Sequence, residues 1–194
     1  MAEQQFVLVF ISTLLLAAAQ AESGNTDPGR TVDIKEFLQE NRKIIVHQAT
    51  EDGDKMCIAD YYSSVNGTEA VFKRYYKNGT KLSYFPLKGV FGSTQQERET
   101  RFNKMSVSFS QAGTDDKKLS EETMVYFSTD GTCGVFKVEE YAGNSKAWYD
   151  IRISQDSVNL PHTSCFNSYK NIRGDTDSRQ VYQPSCPPIP SNSK

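Results

Sequence analysis

Residues 43–153 contain short runs in which hydrophobic and polar positions alternate, and turn residues separate one run from the next. In the run Met105-Ser106-Val107-Ser108-Phe109, apolar side chains fall on one face and serines on the other. Runs of this kind, rich in β-branched and aromatic residues, are typical of antiparallel strands. The eight predicted strands are residues 43–49, 56–63, 70–77, 81–91, 104–110, 123–128, 133–139 and 147–153.

Helical patterns flank this β region on both sides. Asp33, followed by Glu36, matches a capping box, and an apolar stripe continues the pattern to about Asn41. After the last strand, residues 157–161 predict a helix entry, and Gly174 predicts the end of that helix. This mainly β order predicts an up-and-down barrel with one end open to a ligand. An antiparallel sandwich is the alternative that the same strand count allows.

Two Asn-Gly-Thr triplets, at residues 66–68 and 78–80, lie between predicted strands. Each matches the N-glycosylation acceptor, so Asn66 and Asn78 are candidate glycosylation sites. Each Asn-Gly pair also favours the two-residue turn of a β-hairpin. Both interpretations place the asparagine at an exposed loop tip.

The N-terminal segment has an apolar run, residues 6–18, that is short for a membrane-spanning helix. The small-residue pattern Ala19-Gln20-Ala21 follows it, so residues 1–21 are predicted to be a secretory signal peptide. No second long apolar run follows, and we expect a secreted, monomeric protein without membrane association. Residues 22–186 form the predicted domain, and the proline-rich residues 187–194 form a flexible tail.

The four cysteines, Cys57, Cys133, Cys165 and Cys186, contain no CxxC pair. In the oxidising compartment that a signal peptide implies, we expect them to form two disulfides rather than a metal site. Three pairings are possible for four cysteines, and their spacing does not choose between them.

Charge and histidine content exclude two further classes of site. The chain has 22 basic and 24 acidic residues, a formal charge of -2, which does not supply the basic surface that nucleic-acid binding needs. With only His47 and His162, a multi-histidine metal centre is excluded in practice, and we expect no metal or cofactor. A surface or hydrogen-bonded role is favoured for each histidine over haem ligation.

Catalytic signatures are missing from the sequence. It contains no GxSxG nucleophile elbow, no HExxH, no phosphate-binding GxxxxGK[ST] and no GxGxxG, so we do not expect an enzyme. The adjacent acids Glu121-Glu122 and Glu139-Glu140 point to opposite faces of a strand and do not converge as an acid/base pair. We predict that these side chains are solvated.

Five segments spread over the chain resemble the tick salivary histamine-binding lipocalins, and the order and spacing of the four cysteines agree. The segments are Met56-Cys57-Ile58-Ala59-Asp60-Tyr61, Asp130-Gly131-Thr132-Cys133-Gly134-Val135, Ala147-Trp148-Tyr149, Thr163-Ser164-Cys165-Phe166-Asn167 and Val181-Tyr182-Gln183-Pro184-Ser185-Cys186. The resemblance implies an eight-stranded lipocalin barrel, secreted in saliva to sequester small inflammatory mediators of the host. It also implies bonds from Cys57 to Cys186 and from Cys133 to Cys165.

The two acids that hold the ligand's ammonium group in amine-binding members of this family are missing here. Those members resemble the pattern Cys-Asp-(Val/Ile/Leu) followed by Glu-Leu-(Trp/Tyr). This chain has Cys133-Gly134-Val135 and Lys146-Ala147-Trp148 instead, so only the aromatic residue is kept. A looser alignment places Lys88 and Met124 at two further pocket positions.

These replacements change the ligand that we expect. A desolvated ammonium group needs a carboxylate partner, and a lysine in place of that partner repels it. Lys146 or Lys88 at the mouth of a cavity therefore favours an amphipathic carboxylate, such as a fatty acid or a leukotriene. A Lys146 that points to solvent is the alternative. The predicted ligand-binding residues are Trp148, Lys146, Lys88, Tyr76, Phe109, Phe136, Gly134 and Met124.

Three functional hypotheses follow from the sequence. The first is capture of a small amphipathic carboxylate of the host in the barrel. The second is capture of a biogenic amine, histamine or serotonin, by acids elsewhere, such as Asp52, Glu122 or Asp150. The third is a module whose outer surface binds a host immune or haemostatic plasma protein.

Overall fold

A computed structural model describes residues 28–94, 101–110, 117–141 and 146–190. The predicted signal peptide and the last residues of the predicted tail, 191–194, lie outside these ranges. Among the described residues, no helix is both long enough and apolar enough to cross a membrane.

Eight antiparallel strands form a closed barrel, as predicted, and the sandwich alternative is wrong. The strands follow one another around the barrel from β2 to β8, and β1 pairs with both β8 and β2 to close it. A two-residue strand that the sequence did not predict, β9, pairs with the end of β1. The strands are β1 Lys43–Ala49, β2 Met56–Val65, β3 Glu69–Asn78, β4 Lys81–Gly92, β5 Lys104–Phe109, β6 Lys118–Phe127, β7 Cys133–Glu140, β8 Trp148–Ser154 and β9 Arg179–Gln180.

Helix α1, Ile34–Glu40, begins after the predicted N-cap residue. The Asp33 carboxylate accepts hydrogen bonds from the backbone N–H groups of Lys35 and Glu36, at 3.0 and 3.2 Å. The second half of the predicted capping box is replaced, because the Glu36 carboxylate accepts a bond from Arg30 at 3.1 Å. The cap therefore comes from Asp33, and Glu36 attaches the helix to the preceding chain.

The buried face of α1 closes one end of the barrel. Ile34, Phe37 and Leu38 are each at most 1% exposed. The Phe37 ring lies 5.6 Å from the Phe127 ring and 5.8 Å from the Phe136 ring, measured between centroids. In the part of the chain that the structure describes, ligand entry is therefore left to the opposite end of the barrel.

Helix α2, Thr163–Arg173, packs on the outside of β7 and β8. It begins later than predicted, because a 3₁₀ turn, Gln155–Ser157, and Pro161 come first. Gly174, with a φ of 58°, ends it as predicted.

Both disulfides that the family resemblance implied are present. Cys133–Cys165 attaches α2 to β7, and Cys57–Cys186 attaches the C-terminal segment to β2. Near the end of that segment, Ile189 packs against the barrel. Its side chain is 5% exposed, and its backbone N–H donates to the Gln155 side chain at 3.1 Å.

Replacing Phe37 with alanine should lower the free energy of unfolding by about 3 to 5 kcal/mol, because the change leaves a cavity between α1 and the barrel. Urea denaturation followed by circular dichroism measures this loss. Leu160→Ala is the control, since Leu160 is 60% exposed and its truncation should change stability by less than about 0.5 kcal/mol. Equal effects of the two substitutions would contradict the burial of Phe37 between α1 and the barrel.

Candidate ligand-binding site

A layer of charged side chains crosses the interior of the barrel. We call the five residues Asp60, Arg74, Glu122, Asp150 and Arg152 the charged layer. They come from β2, β3, β6 and β8 and occupy inward-facing positions of those strands. Four are less than 5% exposed, and the Arg74 side chain is 20% exposed. Hydrophobic side chains fill the barrel between this layer and α1.

Glu122 lies at the centre of the charged layer and is fully buried. Arg74 Nη1 donates to Glu122 Oε1 at 2.8 Å, and Arg152 Nη1 donates to Glu122 Oε2. The two guanidinium groups also lie over aromatic rings of the hydrophobic core between the charged layer and α1. Arg152 Cζ is 4.2 Å from the Phe136 ring centroid, and Arg74 Cζ is 5.5 Å from that of Phe72.

Each arginine also binds a second carboxylate through two nitrogens. Arg74 Nε and Nη2 donate to the two oxygens of Asp60 at 2.8 and 2.7 Å, and the Tyr62 hydroxyl donates to Asp60 at 3.3 Å. Arg152 Nε and Nη2 donate to the two oxygens of Asp150 at 2.8 and 3.1 Å. These paired geometries are the strong, directional form of the arginine–carboxylate interaction.

The charged layer contains three carboxylates and two guanidinium groups, so its members sum to one negative charge. Burial opposes the ionisation of Glu122, but Arg152 and Arg74 together lower the pKa of its carboxyl to about 2. Burial raises the pKa of Asp150 above its ordinary value, and Arg152 only partly offsets that rise. Asp150 therefore carries the less compensated charge of these two carboxylates.

A cavity of about 100 Å³, which we call the upper cavity, lies between the charged layer and the open end. Asp150, Arg74 and Arg152 form its charged floor. Tyr76 and Phe85, with ring centroids 5.0 Å apart, form one aromatic wall, and Trp148 contributes another. The remaining lining residues are Val46, Ala49, Glu51, Lys55, Ile58, Val138 and Glu140.

An outer groove of about 510 Å³ continues from the upper cavity and shares Glu51, Glu140 and Trp148 with it. Glu51 accepts a hydrogen bond from Arg179 at 2.8 Å. The other lining residues of the outer groove are Thr50, Asp52, Lys146, Ala147, Tyr149, Thr176 and Asp177.

The structure brings two of the predicted ligand-binding residues, Trp148 and Tyr76, to the upper cavity. Lys146 is exposed and lines the outer groove. Lys88 lies on the outer face of β4, because its neighbour Leu87 faces the core and successive strand residues alternate. Phe109, at the end of β5, is 39% exposed and lies 6.0 Å from the Phe85 ring, outside the lining of the upper cavity.

The remaining predicted residues, Phe136, Met124 and Gly134, are buried below the charged layer. Gly134 pairs with Arg152 across β7 and β8, so a side chain at residue 134 would point inward. A Cβ atom there would lie 2.5 Å from Met124 Cε. Met124 thus occupies the space into which an acid at residue 134 would extend.

Only part of the charged layer was identified from the sequence, where Glu122 and Asp150 were named among the acids that could hold an amine. Glu122 was predicted to be solvated, and this is wrong because it is fully buried between two arginines. The prediction that Glu121 and Glu122 point to opposite faces of the strand is confirmed. Glu121 lies on the outer face of the barrel, where it accepts a hydrogen bond from Lys104 at 3.2 Å. Arg74, Arg152 and Asp60 were not identified at all.

Both histidines lie outside the upper cavity. His162 is 4% exposed, and its Nε2 lies 2.8 Å from the Ser157 carbonyl oxygen. The His47 ring lies 5.1 Å from the Phe166 ring and 6.1 Å from the Tyr182 ring, between centroids. Within the described ranges, no group of three or more His, Cys, Asp or Glu residues could hold a metal ion.

Comparison with known sequences identifies one family. A family model described as tick histamine binding protein matches residues 24–188. No curated protein has a sequence that matches this chain.

Comparison with solved structures finds three similar chains at low sequence identity, two of them with TM-scores above 0.5. A crystal structure of AM182 in complex with serotonin has a TM-score of 0.61 and 15% identity, covering 84% of this chain and 97% of that one. The siderocalin Ex-FABP, described as having dual ligand specificities, has a TM-score of 0.53 and 7% identity, covering 79% and 97%. Japanin from Rhipicephalus appendiculatus, bound to cholesterol, has a TM-score of 0.47 and 10% identity, covering 73% and 91%.

The substitution Glu122→Gln should lower the free energy of unfolding by about 3 kcal/mol at pH 6, because it removes the carboxylate that both buried guanidinium groups share, so that each loses a charged hydrogen bond. Glu122 is a carboxyl group whose pKa falls from 4.5 to about 2 on folding. Its ionisation therefore stabilises the fold fully above pH 4.5, and this contribution is lost as the pH falls towards 2. The difference between wild type and variant should shrink over the same interval.

Urea denaturation at a series of pH values measures this difference. Glu139→Gln is the matched control, because Glu139 belongs to an exposed ion pair with Lys137 and its loss should cost less than about 1 kcal/mol throughout. A cost of Glu122→Gln that stays constant from pH 6 to pH 2 would contradict the assigned ionisation.

Proposed function

The chain belongs to the tick histamine-binding protein family, and we propose that it captures a small aromatic amine in the upper cavity, with the ammonium group bound to Asp150. One observation carries the proposal: the charged layer at the floor of the cavity contains one more carboxylate than guanidinium groups. A single cationic ligand brings the layer to zero charge.

The charge of the layer opposes a carboxylate ligand. An anion in the upper cavity would raise the buried negative charge from one to two, and desolvated like charges are costly. The two arginines offer it little, because Glu122, Asp60 and Asp150 already bind them. An amphipathic carboxylate would have to displace one of these internal partners.

Asp150 is suited to receive an ammonium group. Each of its oxygens accepts one hydrogen bond from Arg152, and a carboxylate oxygen can accept two. Trp148, Tyr76 and Phe85 line the same cavity, and aromatic faces attract cations and stack on aromatic rings.

The size of the site favours a small ligand. About 100 Å³ is below the usual range for drug-sized ligands and below the roughly 150 Å³ of a cavity that holds a single benzene, so part of an aromatic amine would extend into the outer groove. A long acyl chain would have to lie in the outer groove, where Glu51, Asp52, Glu140 and Asp177 outnumber Lys146. The predicted fatty acid or leukotriene therefore has less support than an amine, and it remains a prediction, as does the host-protein-binding alternative.

The comparisons agree with this ligand class. The matched family is described as histamine binding, and AM182 was crystallised with serotonin; both compounds are aromatic amines. The two disulfides support folding in an oxidising compartment, as a secreted protein requires. A secreted scavenger would lower the free concentration of its host mediator.

Asp150→Asn should weaken amine binding about tenfold to a hundredfold, because a charged hydrogen bond of about 1.5 to 3 kcal/mol is lost. The substitution leaves two carboxylates and two guanidinium groups, so the layer is neutral and the fold should persist. Isothermal titration with histamine, serotonin and tryptamine measures the loss, with arachidonate and a leukotriene as anionic comparisons. Asp156→Asn is the matched control at an exposed position and should bind like wild type.

Tight binding of arachidonate with no binding of any amine would contradict the proposal. Unchanged amine affinity in the Asp150→Asn variant would place the ammonium site elsewhere in the barrel.

Affinity for tryptamine should fall as the solution is acidified, since a proton competes with the ammonium group for Asp150. Burial raises the pKa of Asp150, so the decline should begin at a higher pH than for an ordinary aspartate. Titration calorimetry between pH 7.5 and pH 4.5 measures this, because a primary ammonium stays protonated throughout. An affinity independent of pH in this range would contradict an ionised Asp150 as the binding group.

A further inference from the structure

We infer that Asn78 is an N-glycosylation site whose oligosaccharide lies across the mouth of the upper cavity and restricts access to it. The triplet Asn78-Gly79-Thr80 meets the acceptor requirement, and all three residues are exposed. The effect of the oligosaccharide on ligand exchange rests on the proposed function. The attachment of the oligosaccharide to Asn78 and its position at the cavity mouth are independent of the proposed function.

The position follows from an unbroken strand pairing. β3 pairs with β4 from Glu69 opposite Val90 to Asn78 opposite Lys81 without a bulge. Side chains two residues apart on such a strand point to the same face. Arg74 and Tyr76 line the upper cavity, so Asn78 continues their row on the cavity side of the barrel.

Asn78 stands at the rim of the open end. It is two residues beyond Tyr76, a distance of about 7 Å along the strand. The strand ends there in a tight turn in which Gly79 has a φ of 60°, a conformation that favours glycine. The Lys55 Nζ atom lies 5.5 Å from the Tyr76 ring centroid and both residues line the upper cavity, so β3 and the chain before β2 border one opening.

An oligosaccharide attached to Asn78 would begin on the inner side of this rim. A branched sugar core is larger than the cavity of about 100 Å³, so it would remain outside, at the rim of the opening where it is attached. Small ligands would then pass beside the sugars, and larger ones would be hindered.

The second sequon provides a matched control at the other end of the barrel. Asn66-Gly67-Thr68 has the same three residue types and is also exposed. The Thr68 carbonyl accepts from the Phe91 N–H at 2.9 Å, and the Phe91 ring stacks 5.8 Å from that of Phe102. The Phe102 carbonyl in turn accepts from the Ile34 N–H at the start of α1, at 2.7 Å. Sugars on Asn66 would therefore lie near the closed end.

Occupancy can be measured on the full chain expressed in a secretory insect cell line. Enzymatic deglycosylation in heavy-oxygen water, followed by peptide mass spectrometry, marks each asparagine that carried sugar. We expect a heavy-oxygen-labelled aspartate at residue 78. Absence of the label at Asn78 would overturn the inference.

Access to the cavity can be measured without any ligand, because Trp148 is the chain's single tryptophan and lines the upper cavity. We expect acrylamide to quench its fluorescence more strongly in Asn78→Gln and in Thr80→Ala than in wild type, and equally in Asn66→Gln and wild type. Equal quenching in all four proteins would overturn the inferred position of the sugars.

Tryptamine binding separates this inference from the proposed function. If the amine binds, its association rate constant should rise in Asn78→Gln and Thr80→Ala but not in Asn66→Gln, and no rise in those variants would overturn the inferred restriction. If the amine binds none of the proteins, the proposed function fails, while occupancy and quenching still decide the inference.

Discussion

The hydrogen-bonded pairing of Glu122 with Arg74 and Arg152 is the interaction on which the rest of this barrel depends. A buried carboxylate is tolerated only when cations and hydrogen bonds compensate it, and here two guanidinium groups, one from β3 and one from β8, do so. The pairing links β3, β6 and β8 across the interior. It separates a packed lower core from a small upper cavity, and so determines both the volume and the charge of the site.

The same layer explains how an amine can be held without the acids that the family resemblance led us to expect. Residue 134 is glycine, and Met124 occupies the space beside it. Residue 146 is an exposed lysine of the outer groove. The carboxylate of the charged layer that lines the cavity is Asp150, which Arg152 orients through two hydrogen bonds. The unequal count of carboxylates and arginines leaves a charge that a cationic ligand can neutralise.

The sequence predicted the barrel well, because alternation and turn residues are local signals, but it did not predict the charged layer. In β8, Asp150 and Arg152 alternate with Ile151 and Ile153, a pattern that indicates polar residues facing solvent. The reverse is true, because α2 covers the outer face of β8 and buries its isoleucines there. Which face of a strand points inward thus depended on a distant helix. β6 was also predicted to begin five residues too late, because its first residues, 118–122, are mostly polar.

The most direct test of this account compares two ligands that differ only in their charged end group. Tryptamine and indole-3-propionate share the indole ring and the two-carbon linker, and end in an ammonium and a carboxylate group. Isothermal titration of the mature protein with each compound at neutral pH isolates the charge preference of the cavity. The account predicts that tryptamine binds and that indole-3-propionate binds much more weakly or not at all. Tighter binding of indole-3-propionate would contradict it.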